Sequence, residues 1–250
     1  MGISINQMVT AVTKVDILAI GVHPDDVELS CSGTILKHIQ LGYTVGLLDL
    51  TLGELGTRGT KEIRTAEAKL AAEKMGVQFR YQLDLGDAFM QWNEDTLRQI
   101  IPIIRAARPR IVLLNAIHDR HPDHGKSSKI AADACFFSGL RMIKTTFQNE
   151  DQEAHRPEVV YHYIQDQYIK PDVIVDISEF IDQKMEVIKC FKSQFYNPES
   201  TEPESAISGV DFLEVVLSKA RLEGRAIGVS FGEGFTVDRP IAAEHLFLVK

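Results

Sequence analysis

Cysteine is scarce in this 250-residue chain, and Cys31, Cys135 and Cys190 are far apart, odd in number and outside any Cys-x-x-Cys spacing. A disulfide framework and a thiolate zinc knot are thereby excluded, and each thiol reads as a small buried hydrophobe. Basic residues are in deficit too: 27 Lys and Arg stand against 35 Asp and Glu, for a formal net charge of -8. A general nucleic-acid binder needs a basic face to neutralise phosphate, so that class is disfavoured. No apolar run approaches the roughly 20 residues of a spanning helix. The stretch "MGISINQMVTAVTKVDILAIG" has no basic leader before a long apolar run, and Asn6 breaks the myristoylation pattern that Met1-Gly2 opens. A cytoplasmic protein without membrane contact is expected. A Gly-x-Gly-x-x-Gly dinucleotide fingerprint is also missing, because the first apolar strand runs into "GVHPDD" instead.

What the chain does have is alternation. Residues 1–140 switch between β-type apolar runs and helical patterns, which predicts βαβ units and a parallel sheet. Strands are expected at Asp16 to Val22, Val45 to Leu50, Tyr81 to Leu85 and Ile111 to Asn115. Helices are expected at Val27 to Leu41, at Lys61 to Met75 with Gly76 as the stop, and at Thr96 to Ala107 ended by Pro109. "RIVLLNAIHDRHPDHG" repeats the opening layout of strand and His-rich loop, and a helix follows from about Lys126 to Met142. In open parallel sheets ligands collect at the carboxyl ends of strands, so two such loops can meet in one crevice. After Lys144, "TTFQNEDQEAHRPE" reads as a loop, "VVYHYIQD" and "PDVIVDIS" as strands, and "EFIDQKMEVIKCFKSQF" as a helix. "YNPESTEPESAISG" is a second loop, followed by a helix from Val210 to Ile227 and a short tail. With no repeat and no long linker, one α/β domain over residues 1–250 is expected.

Three polar clusters each follow a predicted strand: His23-Pro-Asp25-Asp26, the Gly53 to Gly59 loop with Arg58, and His121-Pro-Asp123-His124. A catalytic zinc takes three ligands from His and carboxylate and leaves a position for water, whose pKa falls to about 7. A His-x-x-Asp loop and a second His from another strand end provide such a set. Adjacent carboxylates on an extended loop point different ways, so one of Asp25 and Asp26 is expected to bind metal and the other to take a proton. Spacing alone does not say which. Each cluster also has a plainer reading: Asp25 or Asp26 as a helix cap, His121 and His124 as exposed loop histidines, and Arg58 as a solvated charge on a turn. Two His-Pro-Asp clusters after two strands weigh against it.

In combination, "HPDD", "GELGTRGT" and "HPDH" resemble the LmbE-like (PIG-L) family of zinc-dependent N-deacetylases, with similarity over nearly the whole chain. The resemblance implies an α/β fold, a Rossmann-like three-layer sandwich with a mostly parallel central sheet. It implies Zn2+ on His23, Asp26 and His124, with Asp25 as general base. It further implies a protonated His121 that stabilises the oxyanion while Asp123 holds its ring. Arg58 resembles the family's substrate-binding arginine, and Arg156 in "HRPE" is a second expected contact. Tyr196 in "SQFYNP" stands where a mobile-loop tyrosine reaches the site in several members.

"DLTLGELGTRGT", "HDRHPDHG", "IVDISEFIDQKMEVIKCFKSQF" and "GEGF" are similar to the bacillithiol-biosynthesis branch, which implies removal of acetyl from N-acetylglucosaminyl malate. The alternatives are another N-acetylglucosaminide, of the mycothiol-precursor or chitooligosaccharide kind, and a non-catalytic sugar-binding module with the metal as a prop. A prop needs no base beside it, and Asp25 is there. The loops after Arg58 and around Thr145 are expected to choose the aglycone. Expected partners are a small N-acetylated sugar and further copies of the chain as a hexamer, with neither nucleic acid nor membrane.

Overall fold

Strand β1 (Ile17–Gly21) is buried at every position and shows no apolar/polar alternation, the pattern of a strand covered on both faces in a parallel sheet. The structure, a computed structural model, describes residues 11–245 and residue 247. Met1 to Asn6, read above for an acyl anchor, lie outside them. From β1 the chain runs through α1 (Asp26–Gln40), β2 (Val45–Asp49), α2 (Lys61–Met75), β3 (Phe79–Gln82), α3 (Glu94–Ala107), β4 (Ile111–Leu114) and α4 (Pro122–Ser138). A small hairpin, β5 (Thr146–Phe147) and β6 (Glu150–Asp151), follows; then come β7 (Val159–Tyr163), β8 (Val173–Asp176), α5 (Ile181–Ile188), α6 (Phe212–Ala226) and β9 (Gly232–Val237).

The main sheet has the order β3-β2-β1-β4-β7-β9-β8. Pairings from β3 across to β7 are parallel, and β9 is antiparallel to both β7 and β8. One apolar core lies on the side of α1, α2 and α5, with Val27, Ile35, Ala68, Ala71 and Ile188. A second core covers the other face with Ile100 and Ile104 of α3 and Ile130 and Ala134 of α4. Each buried isoleucine in these layers stabilises the fold by about 1.5–3 kcal/mol. The three-layer sandwich with a mostly parallel sheet is the architecture that the resemblance implied.

Local signals set most element ends. Thr60 caps α2 by accepting from the Ile63 N–H, and Gly76 ends it in the left-handed region at φ 76. Elsewhere the boundaries move. Helix α4 starts at Pro122, inside the His-Pro-Asp-His motif rather than at Lys126, because proline at the first helical position has its φ preset and needs no N–H partner. The segment that read as a tail contains β9, which slots between β7 and β8. Its glycine pattern hides a strand: a Cβ at Gly232 would meet Ile174 at 2.6 Å and the backbone of α6 at 3.0 Å.

The topology makes the crevice. Strand β1 pairs with β2 on one side and β4 on the other. The chain leaves β1 into α1 on one face and leaves β4 into α4 on the opposite face, so the two strand-end loops part and leave an opening between them. Asn115, just after β4, ties the two loops: its Oδ1 accepts from the Val22 N–H at 2.9 Å and its Nδ2 donates to Asp26 at 3.0 Å.

Candidate active site

The crevice is a cleft of about 510 Å³, lined among others by His23, Asp25, Asp26, Arg58, His121 and His124. The cap reading of Asp25 fails, because its side chain makes no capping hydrogen bond to α1 although it occupies the cap position. Its carboxylate instead accepts from Arg64 Nη2 at 3.2 Å. Arg64 also donates to the carbonyls of Pro24 and Gly53, so a helix α2 cation ties the loop after β1 to the loop after β2. The glycine of "GELG" is required for this: Gly53 has φ 64, and a Cβ there would come within 2.3 Å of the Arg64 guanidinium. Burial pushes the Asp25 carboxyl up to about 7; Asp26 and Glu28 add to the rise, while the Arg64 and His23 charges oppose it.

Asp26 faces the other way. One oxygen accepts from the His23 N–H at 2.9 Å and from Asn115, and the second lies 3.1 Å from His124 Nε2. Burial raises its pKa, but the facing His124 and His23 rings more than reverse this and hold it far below the usual carboxylate range. The two neighbouring carboxylates are therefore driven apart, which is how acid and base roles are separated in one site.

Donor atoms of His23, His121 and His124 lie within 4.8 Å of one another, as do those of His23, Asp87 and Asp123. His23 Nδ1 is 3.7 Å from Asp26, and its Nε2 is 3.0 Å from Asp87. Burial opposes charge on His23, yet the Asp123 and Asp87 carboxylates overcome it and push its pKa up to about 10. For His124, burial again opposes and Asp26 and Asp119 win, giving about 9. Both imidazoles thus sit in a field of buried carboxylates that favours positive charge, whether a proton or a metal cation. The imidazole and carboxylate donors suit a zinc-type ion, and the anionic excess fits its charge.

His121 is placed differently from the expectation. It caps α4, its Nδ1 accepting from the Asp123 N–H at 3.3 Å, which leaves the proton on Nε2. Its ring packs at 4.8 Å from His23 and 5.0 Å from His124 between centroids. Burial and those two neighbouring rings lower its pKa, so the neutral tautomer with an Nε2–H donor is favoured. The Asp123 carboxylate does not hold the His121 ring. The first turn of α4 aims it at the Ala88 N–H and at Lys126, with His23 Nε2 at 3.7 Å.

Arg58 lines the cleft as a buried side chain. Arg156 is not brought there: it donates to the Phe136 carbonyl and its guanidinium lies over the Phe136 ring at 4.1 Å. The Thr145 to Pro157 stretch is likewise absent from the lining. Helix α3 holds it, with Arg105 donating to Thr145 and the Pro102 carbonyl accepting from Gln152, and Ser205 to Ile207 supply the wall instead. Sequence reading missed Arg64, Asp87, Asp119 and Gln165. Asp119 bonds His124 Nδ1 at 2.5 Å and fixes that ring, while Gln165 donates to Asp26. A signal existed for two of them: Asp119 stands inside "HDRHPDH", and Asp87 ends the strand β3 loop as Asp25 ends that of β1.

Fold and cleft together define an enzyme of the three-layer α/β class with a His and Asp cluster at the topological switch point. Residues 18–135 match the family model described as PIG-L, GlcNAc-PI de-N-acetylase. A diacetylchitobiose deacetylase of Thermococcus kodakarensis is 32% identical over 201 residues, covering 76% of this chain and 73% of that protein. A 4-oxalmesaconate hydratase of Pseudomonas putida is 26% identical, with 71% and 73% covered. A probable N-acetyl-alpha-D-glucosaminyl L-malate deacetylase of Bacillus anthracis is 24% identical, with 72% and 81% covered. Among solved structures, a conserved protein of Thermus thermophilus superposes with a TM-score of 0.80 at 31% identity, covering 92% of this chain and 97% of that one. The chain belongs to the PIG-L/LmbE-like deacetylase family.

Proposed function

We propose that the protein hydrolyses the acetamide of an N-acetylglucosaminide, with N-acetylglucosaminyl malate as substrate and Zn2+ as the resident metal. The observation that carries the hydrolytic part is Asp25: a buried carboxyl poised near neutrality, clamped by Arg64 beside two histidines and a carboxylate that favour a cation. His23, Asp26 and His124 would hold the ion. Bound there, it supplies Lewis acidity, polarising the amide carbonyl and acidifying water.

The chain's own residues do the rest. Asp25, ionised, takes the proton of the attacking water and, once protonated, gives it to the departing amine, so one carboxyl serves both halves of the reaction. His121 Nε2–H faces the oxygen on which negative charge develops and donates to it. Asp119 and Asp87 keep the His124 and His23 rings from turning. Arg58 supplies the positive charge that an anionic aglycone requires in an acidic chain.

A second substrate, diacetylchitobiose, has its own support in the 32% identity to a deacetylase of that name. Acetate release from N-acetylglucosaminyl malate, diacetylchitobiose and N-acetylglucosamine by zinc-loaded protein separates the readings. A strong preference for the malate glycoside is expected; preference for the disaccharide makes the second reading correct, and no acetate from any of them overturns both. The hydratase relative adds a control, since a hydratase releases no acetate from these compounds. We further propose that the chain acts as one domain in a cytoplasmic homo-oligomer, a hexamer, which sedimentation analysis tests; exposed Phe89, Trp92 and Met142 offer apolar surface for subunit contact.

A further inference from the structure

Residues 196–208, between α5 and α6, make polar contact with the rest of the molecule through Glu202, while Ile207 packs against the apolar core. Among the described residues their hydrogen bonds stay inside the segment, as from Glu199 N–H to Asn197, Glu202 N–H to Ser200 and Ser205 N–H to Ser208. The exception is the Gly59 N–H, which donates to the Glu202 carboxylate at 3.0 and 3.2 Å. Just beyond, Ser205, Ala206 and Ile207 form part of the cleft wall.

Glu202 also faces Arg58, at 3.9 Å from Nε. The Arg58 side chain is 5% exposed and that Nε has no hydrogen-bond partner, whereas the Glu202 side chain is 44% exposed. A buried guanidinium with an unmet donor favours any carboxylate that can approach closely. The N–H beside it is held in place by conformation: Gly59 has φ 71, and a Cβ there would come within 2.7 Å of Ser193 Oγ.

We propose that the Arg58 guanidinium, which lines the cleft, and the exposed Gly59 N–H beside it form a carboxylate subsite bordering the cleft, occupied in the free enzyme by the chain's own Glu202 and taken over by the aglycone carboxylate of an anionic substrate, which frees the 196–208 segment. The inference rests on the reading of an anionic N-acetylglucosaminide as substrate. A half-exposed ion pair at 3.9 Å is a weak competitor, and a carboxylate that meets the guanidinium in the cleft binds the freed state preferentially, so it shifts the segment toward release. A neutral sugar has no group with which to displace Glu202. The chain's own acid thereby acts as a filter for anionic aglycones.

Free malate is the probe, and hydrogen exchange across 196–208 the readout, in the wild-type protein and in Glu202→Gln. Malate is expected to speed exchange in the wild type. Glu202→Gln is expected to exchange fast without malate, to bind malate about tenfold more tightly because a competing charge is gone, and to show a lower ratio of KM for the malate glycoside to KM for N-acetylglucosamine. The proposal is overturned if malate slows exchange, if neither protein binds malate, or if Glu202→Gln binds it no better than wild type. Acetate release from the malate glycoside with no effect of Glu202→Gln leaves the function standing and removes the subsite. Malate that frees the segment, without acetate release from any N-acetylglucosaminide, leaves the subsite and removes the function.

Discussion

Asp25 adopts φ 122, a conformation that costs a non-glycine residue about 1–3 kcal/mol and persists only where the surroundings impose it. Arg64 is the imposing group, through its bonds to Asp25, Pro24 and Gly53. Asp25→Asn is expected to lower kcat by about 10²–10⁴-fold, the range for general acid and base catalysis, while retaining metal by elemental analysis. His23→Ala is expected to lose both, and equal metal loss in the two would refute the division between Asp25 and Asp26. The base must be ionised to act, and burial raises its pKa to about 7, so kcat/KM is expected to fall as pH drops through neutrality. Arg64 opposes that rise. Arg64→Gln should therefore move the acidic limb of the pH profile upward by about one pH unit; a limb that stays in place, or moves down, would show that another group titrates there. The motif residues were legible because strand-end histidines and aspartates stand out locally. Arg64 was not, since a lone arginine inside an amphipathic helix looks like any solvated charge until the fold turns it inward.

At the scale of elements, the site depends on how loops and helix ends are held. Gly53→Ala is expected to reduce both stability, by about 1–3 kcal/mol in thermal unfolding, and turnover, because a side chain at φ 64 meets the Arg64 guanidinium. A drop in stability with full activity would mean that Arg64 does not need its present seat. Asn115→Ala removes the link between the loops after β1 and β4 and is expected to weaken metal affinity by about 10–100-fold, as for other groups that orient ligands, measured by competition with a chelating dye. Helix spans were largely readable: α2 matches its predicted ends because Thr60 and Gly76 are explicit cap signals. The start of α4 was not, because a proline beside two histidines reads equally as a loop, and only the folded chain shows Pro122 in the first helical turn with His121 as its cap. Strand β9 escaped for the opposite reason, since its glycines answer to the close approach of α6 and not to a turn.

For the whole molecule, the ion is expected to act as a cross-link between loops far apart in sequence. Ion binding to the native state alone adds about 2.7 kcal/mol when free metal is 100 times Kd, so chelation should lower Tm by several degrees and Zn2+ should restore it. His124→Ala should show no such response, and an unchanged Tm in the wild type would argue against a resident metal. No described helix is long and apolar enough to cross a membrane. Taken by itself, the chain of residues determined the alternation that makes a parallel sheet and the identities of His23, Asp25, Asp26, His121 and His124, because these signals lie within a few neighbouring positions. The tertiary structure alone decided that Asp123 serves Ala88 and Lys126, that Arg156 lies outside the cleft, that Arg64 and Asp87 line it, and that Asp119 backs the His124 ring. Those outcomes follow from the parallel pairing of β1 with both β2 and β4, which brings distant loops together, and direction and burial of a side chain there are properties of that convergence and not of any local pattern.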